Sequence, residues 1–506
     1  MFLKAGAISL LLLLASRLLG LLRESAQAAA FGTSGMGDVA VIMLTLPDWL
    51  TGVLASGALA YVLLPHWASQ SSAQQTRTQR RVAHWLLGIG SLIGLLLCVF
   101  QTPVLHALAS GLPTRFLPKA TQGLVWSAAT LPAAMLAALW VTRLQHERDF
   151  TGLYAANLVV NSVLIAALYV IANINTSTTP VSLLGLALCL AMGLRLLWLH
   201  WRLQAHTPSD ALPAADVQAP MPGASLWVWA TLSAGLPLAL PFVARSFASN
   251  GGEGALVTFN FAWKLVELPL VLAIQLVATL AFPSITRAMA RKTDESTLGQ
   301  ALPQDAIRAI RGAFLLAWTL ACAAIVALQL GAPAIATLLF GWGRMSSEAL
   351  AAVAAWGSIG AWGLLPQALT AVALTVLATQ GRMHSVVMAY AVALAALLLI
   401  GVASNGSGAG LMAGLNAVLT LVALIALLNL RLPGQKLSHA IHLLPWRAMA
   451  TPTTVLASLV GAARGAWVAV PAPQSHGALV IAMVAAIGVI ATSYAVNEEL
   501  RAALRR

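Results

Sequence analysis

Charge is what this sequence has least of. Only 8% of its 506 residues are Asp, Glu, Lys or Arg, against about 25% in soluble domains. With 59% apolar residues and a mean hydropathy of +0.85, a soluble globular protein is excluded. Acids are the scarcer sign, 15 Asp and Glu against 28 Lys and Arg. Enzymes acting on membrane phosphates use acidic metal-binding clusters or catalytic acids in loops. Here the loop acids Asp210, Asp294 and Glu295 stand isolated, so the chain does not read as an enzyme. Cysteine is nearly absent too. Cys98, Cys189 and Cys322 lie in separate apolar blocks without CxxC spacing and read as small core residues. No HExxH, Walker or GxSxG pattern occurs. His439 and His442 are one turn apart and fit an interfacial helix face better than a metal site. No metal and no cofactor is expected.

The net charge of +13 would suit nucleic acid if the basic residues shared one face. They sit instead in short segments between apolar blocks, which argues against a nucleic-acid partner.

Those blocks run to about 18–28 residues, enough to cross a bilayer core as helices. The fold class is therefore an all-α polytopic membrane protein with about fourteen transmembrane helices. Approximate spans are 3–30, 38–65, 82–109, 121–142, 151–172, 180–201, 226–249, 255–283, 310–331, 349–377, 384–402, 408–430, 450–470 and 477–496. The N-terminus has signal-peptide traits, Lys4, an apolar run and Ala28-Ala29-Ala30. Arg17 and Arg23 interrupt that pattern, so a retained first helix is expected.

Most of the 28 Lys and Arg fall on one side if the N-terminus is cytoplasmic; the other side receives only Arg115, Lys119, Arg344 and Arg464. The positive-inside rule then places both termini in the cytoplasm. Arg195 and Arg202 count among the cytoplasmic set. Four cations remain inside spans: Arg17, Arg23, Arg245 and Lys264.

The second and eighth spans resemble each other. Leu46-Pro47 is followed by Pro65 and a basic loop, and Leu268-Pro269 by Pro283 and "SITRAMARK". Two six-helix lobes plus a C-terminal helix pair follow from this pattern. The domains are an N-terminal lobe 1–203, a Pro- and Ala-rich cytoplasmic linker 204–224, a C-terminal lobe 225–430, an interfacial linker 431–449, and the final pair with its tail, 450–506.

The charges inside spans carry the functional signal. A lone arginine at a membrane helix centre costs about 2.5–3.5 kcal/mol on the most forgiving scale. Arg17 and Glu24 are seven residues apart, about 700° around a helix, and share one face. Arg23 lies about 120° from Arg17. Lys264 and Glu267 are one turn apart, and Asp38 opens the second span with Asp48 after Pro47. One reading is a set of inert salt bridges between packed helices. The other is a watery path for cargo, where intramembrane charges usually face. The surplus of cations suits an anion, and arginine's planar fork matches phosphate oxygens.

These residues carry a family resemblance. "ASRLLGLLRESAQAAAFGTSGMGD" resembles the opening of the MurJ/MviN lipid II flippases, with its S-R-x-x-G-x-x-R-[DE] helix and F-G turn. "LPDWLTGVLASGALAYVLLP" is similar to that family's second helix, "FAWKLVELPLVLAIQLVATLAFPSIT" to its eighth, "APAIATLLFGWG" to the stretch after its ninth and "GLLPQALTAVALTVLATQGR" to its tenth. The resemblance implies a MOP-exporter fold of fourteen helices around a central cavity, with a final pair grooved for a polyprenyl tail. It implies substrate-binding roles for Arg17, Arg23, Glu24, Asp38, Lys264 and Glu267. It also implies lipid II or a related polyprenyl-pyrophosphate sugar as cargo, membrane lipids as surroundings, the bacterial inner membrane as location and the cell-wall synthesis machinery as a candidate partner. Three departures stand out. Lys264 replaces a usual arginine; Thr51, Gly52 and Ser56 replace two arginines and a glutamate; Thr370 and Ala371 stand where a basic residue is usual. A flippase for another polyprenyl-linked oligosaccharide, a cation antiporter of the same superfamily and a paralogue with reduced transport are the competing readings.

Overall fold

The computed structural model describes residues 2–173, 180–205, 221–275, 277, 278, 281, 285, 304–380, 382–430, 443–469 and 476–504. Every regular element among them is helical. Most of the two linkers falls outside the described residues, including His439 and His442, as do Asp210, Asp294, Glu295 and the C-terminal part of the eighth span.

In chain order the helices are α1 Phe2–Phe31, α2 Gly35–Val53, α3 Leu59–Ala68, α4 Ser72–Val99, α5 Gln101–Ala109, α6 Leu117–His146, α7 Phe150–Asn173, α8 Pro180–Gln204 and α9 Ala224–Ala248. They continue as α10 Ala255–Pro269, α11 Gln304–Phe340, α12 Ser347–Ala361, α13 Leu364–Thr379, α14 Met383–Ala403, α15 Gly408–Leu428, α16 Trp446–Ala469, α17 His476–Val496 and α18 Glu498–Leu504. Among the described residues, eleven helices are long and apolar enough to cross a membrane, or twelve with α12 and α13 taken as one span bent by 47°. The two other expected spans are α1 with 30 residues and α16 with 24, both long enough to cross at about 1.5 Å per residue. The three cysteines are free, in α4, α8 and α11.

Boundaries differ where polar sequence is nonetheless helical. The third span begins at Ser72, ten residues before the apolar run, because Ser71 and Gln74 form a reciprocal capping box that satisfies otherwise orphaned amides. The ninth reaches 37 residues, Gln304–Phe340, its charged first turns continuing the apolar helix.

The second and eighth spans share a device. In each, one widened π turn interrupts the α-helix: Leu54–Ala58 between α2 and α3, and Leu270–Ile274 directly after Pro269. Proline removes one backbone donor and crowds the preceding turn; a π turn absorbs an extra residue without breaking the helix.

The chain forms two compact units. The first comprises residues 1–257 with 339–346, the second 258–338 with 347–506. In the first, α6 is the central helix, packed on α2, α4 and α8, while α1 lies along α7. Small residues on α6, Ala134, Ala137 and Ala138, are fully buried there, as close helix approach without a hydrophobic driving force requires. The seventh span, α9, groups with this unit because it packs on the π turn at Leu54–Ala58. A Cβ on Gly57 would stand 2.0 Å from the Ala234 Cβ, so only glycine permits that approach. In the second unit, α15 packs on α12, α13 and α14. Two side-chain amides tie it together, Asn416 Nδ2 donating to the Ile359 carbonyl at 2.7 Å and Gln329 Nε2 to Ser358 at 2.6 Å. The Trp318 indole reaches the Thr453 hydroxyl at 2.9 Å, linking α11 to α16.

Candidate functional site

In the first unit the intramembrane charges form a group built by three helices. Arg23 and Glu24 come from α1, Asp48 from α2 and Arg195 from α8. The Arg23 Nη2 donates to Asp48 Oδ2 at 2.9 Å and to Glu24 Oε1 at 3.1 Å. The Arg23 side chain is 12% exposed and that of Asp48 is 44% exposed, so the pair spans from packed protein to an open edge. Arg195 is 4% exposed and close enough to Asp48 for their charges to interact. Two arginines and two carboxylates thus balance. A balanced buried group is what low dielectric demands, because an uncompensated ion there costs several kcal/mol.

Arg195 is the residue that sequence reasoning placed elsewhere. It was assigned to the cytoplasmic end of the sixth span, whereas α8 runs nine residues past it to Gln204 and holds it buried. The helix outlasts its apolar stretch, ending in "LHWRLQ". Periodicity offered one clue. Leu184, Leu188, Ala191, Arg195 and Leu199 recur at three- and four-residue spacing and are all buried, which puts the arginine on the packed stripe.

The group has donors to spare. Arg23 Nε, Gln27 Nε2 and Arg195 Nε are buried without a hydrogen-bond partner, as is the Thr51 hydroxyl oxygen. Gln27 lies one turn beyond Arg23 on α1, and Thr51 one turn beyond Asp48 on α2, so each shares its neighbour's face. Buried polar atoms are nearly always satisfied. Several unpaired ones gathered around an ion group mark a place suited to a polar ligand.

Arg17 sits apart from these pairs. It lies six residues before Arg23, about 9 Å along the helix, and its side chain is exposed. It forms no ion pair among the described residues; its charge acts on Tyr154 of α7. Arg17 and Glu24 share a side of α1 as the spacing implies, but only Glu24 is covered by neighbouring helices.

Asp38 has a different setting. At 2% exposure it accepts the Gly254 amide at 2.7 Å and the Val257 amide at 2.9 Å, satisfying two donors at the start of α10. Ten residues separate it from Asp48, about 15 Å along the span. Glu253 beside it accepts the Gly35 amide at 3.1 Å and pairs with Arg115. The Gly35 amide, and secondarily Arg115, hold the Glu253 carboxyl below the usual carboxylate range.

Of the two positions that lack the expected arginines, Gly52 is accounted for by packing. A Cβ on Gly52 would lie 3.3 Å from Leu238 Cδ1, so this face of α2 is taken up by α9. Trp49, on the same turn, has its ring centroid 5.9 Å from that of Phe242 on α9.

In the second unit, Lys264 and Glu267 lie on α10. The Lys264 Nζ donates to Glu267 Oε2 at 2.7 Å, both side chains being about one-third exposed or less. Thr370 on α13 is buried and bonds the Pro366 carbonyl one turn back at 2.8 Å, the usual way a hydroxyl is satisfied inside a helix.

The fold is shared with known proteins. A solved structure titled lipid II flippase MurJ, inward closed conformation, superposes with a TM-score of 0.78 at 12% identity, covering 97% of this chain and 99% of that one. An inward-facing multidrug resistance MATE family transporter of the MOP superfamily gives 0.63 at 14% identity over 81% and 92%. The MATE transporter ClbM in complex with Rb+ gives 0.56 at 15% over 87% and 97%. No curated protein matches in sequence. The sequence model of the lipid II flippase MurJ matches residues 27–475, and the chain therefore belongs to the MurJ lipid II flippase family.

Proposed function

We propose that this chain carries lipid II, moving its pyrophosphate-linked headgroup from the cytoplasmic to the periplasmic leaflet of the bacterial inner membrane by alternating access. The family match over residues 27–475 supports the cargo. The buried Arg23 group, rich in unpartnered donors, is the single structural observation that carries it. No bond is made or broken, so the chain acts as a transporter and not an enzyme.

In this account Arg17, Arg23 and Lys264 serve the pyrophosphate during the cycle while the polyprenyl chain stays in the membrane. Glu24 and Glu267 neutralise the cations between cargoes; both already hold one, at 3.1 Å and 2.7 Å. Asp38 serves the site by fixing the start of α10. Both termini are cytoplasmic, and the domains divide as two lobes of six spans and a terminal pair. The cell-wall synthesis machinery is the expected source and destination of the cargo.

Reconstitution tests the reading. Proteoliposomes containing the purified chain should expose labelled lipid II in the opposite leaflet faster than protein-free vesicles. Equal rates, or movement of a different polyprenyl-linked sugar with lipid II left in place, would refute the lipid II assignment.

A further inference from the structure

Asp48 and Arg195 have no part in the account above, yet they complete the Arg23 group. Three observations bear on them. Asp48 is its most open member, with a side chain 44% exposed, while the Arg23 it holds at 2.9 Å is 12% exposed. Arg195 is buried at 4% exposure within α8, a setting too costly for a cation without a counter-charge. The Nε atoms of both arginines, together with Gln27 Nε2, have no acceptor.

A carboxylate offers two oxygens, and one of Asp48's is already engaged by Arg23 Nη2. Two guanidinium groups offer ten N–H donors between them. Asp48 and Glu24 together cannot saturate that number, and the leftover donors are of the kind that phosphate oxygens accept bidentately. A diphosphate arriving at this group would bring more acceptors than the carboxylate that occupies it.

We propose that Arg195 is a second diphosphate-binding arginine, acting with Arg23, and that Asp48 is an internal competitor whose carboxylate, bonded to Arg23 and offsetting the charge of Arg195, gives way to a prenyl diphosphate. The inference rests on the reading of a diphosphate-linked lipid as cargo, and it adds the two residues that set affinity. Asp48 serves release as well as charge balance. By returning to the arginines it lowers the affinity for bound anion, and a carrier must let its cargo go. The position of Asp48 fits this task, directly after Pro47 and six residues before the π turn at Leu54–Ala58, where the backbone of the span is least regular.

The test is binding of farnesyl diphosphate to the full-length protein in nanodiscs, measured by calorimetry, with inorganic pyrophosphate and farnesol as separate arms. Arg195→Gln should bind farnesyl diphosphate about 10- to 100-fold more weakly, Arg195→Lys less so, and Asp48→Asn more tightly than the unaltered chain. Because Arg195→Gln removes one positive charge opposite Asp48, the double variant Asp48→Asn/Arg195→Gln keeps the group balanced and should bind more weakly than Asp48→Asn alone. Pyrophosphate binding with the same dependence on Arg195 would support recognition of the diphosphate itself. Unchanged affinity in Arg195→Gln and in the double variant, or farnesol binding as tightly as farnesyl diphosphate, would overturn the proposal. Transport gives the separation: lipid II moved at the normal rate by Arg195→Gln sinks this inference alone, whereas Arg195-dependent binding without any lipid II movement sinks the flippase reading alone.

Discussion

Asp38 reaches across 216 residues of sequence to accept the Gly254 amide at 2.7 Å, and its second oxygen takes the Val257 amide at 2.9 Å. One carboxylate near the start of the second span thereby organises the start of the eighth. Removing it leaves two buried donors without acceptors. Asp38→Ala should destabilise the protein by about 2–4 kcal/mol, read as a lowered melting temperature in detergent, with Asp38→Asn falling between. A melting temperature unchanged in Asp38→Ala would show that the two amides have other partners.

Glu253 gives a pH-dependent signature. Its carboxyl is held low first by the Gly35 amide and then by Arg115. A carboxyl depressed in the folded state contributes stability that is complete above its unfolded value, about 4.3, and is lost as pH falls through the folded value. Thermal melts of the wild type and Glu253→Gln should therefore differ at pH 7 and converge as pH drops below about 4.3. Curves separated by a constant interval at every pH would remove the carboxylate from the explanation.

The seventh span meets the π turn of the second through Gly57 and Ala234, with 2.0 Å available to a new Cβ. Gly57→Ala should cost about 1–3 kcal/mol by overpacking. Gly57→Ala/Ala234→Gly should recover much of the loss, because it restores the volume at the contact. Failure of the second change to rescue would assign the role of Gly57 to backbone conformation.

Transport should follow the membrane potential. A headgroup of about two negative charges moving outward gains roughly 2.3 kcal/mol per charge for each 100 mV. Collapsing an inside-negative potential in proteoliposomes should slow flipping, and reversing it should slow flipping further. Rates independent of potential would mean that the cargo's charge is compensated during the crossing.

How much of this was legible in the sequence depends on the length scale of each feature. The spans were, because an apolar run long enough for a bilayer admits few alternatives. The first segment is helical as expected, although the different settings of Arg17, exposed, and of Arg23 and Glu24, packed, were not legible, since helix spacing reports a face and not what covers it. Arg23 of α1 meets Asp48 of α2, with the Arg195 charge of α8 acting on the same carboxylate, and no local pattern encodes an arrangement made by three helices. Arg195 was hidden by a rule that is right on average: a cation near the end of a span usually marks the interface. The buried stripe Leu188, Ala191, Arg195 and Leu199 was the contrary signal. Asp38 illustrates the same limit, for its charge was visible while its task, holding amides of a segment more than two hundred residues on, depends on the folded chain.

The flipping assay with altered Arg23 bears most directly on the central claim that buried arginine holds the diphosphate. Proteoliposomes carrying Arg23→Gln should lose lipid II movement by about tenfold or more, with Arg23→Lys partly active and both variants incorporated as folded protein. Lipid II moved by Arg23→Gln at the wild-type rate would contradict the account.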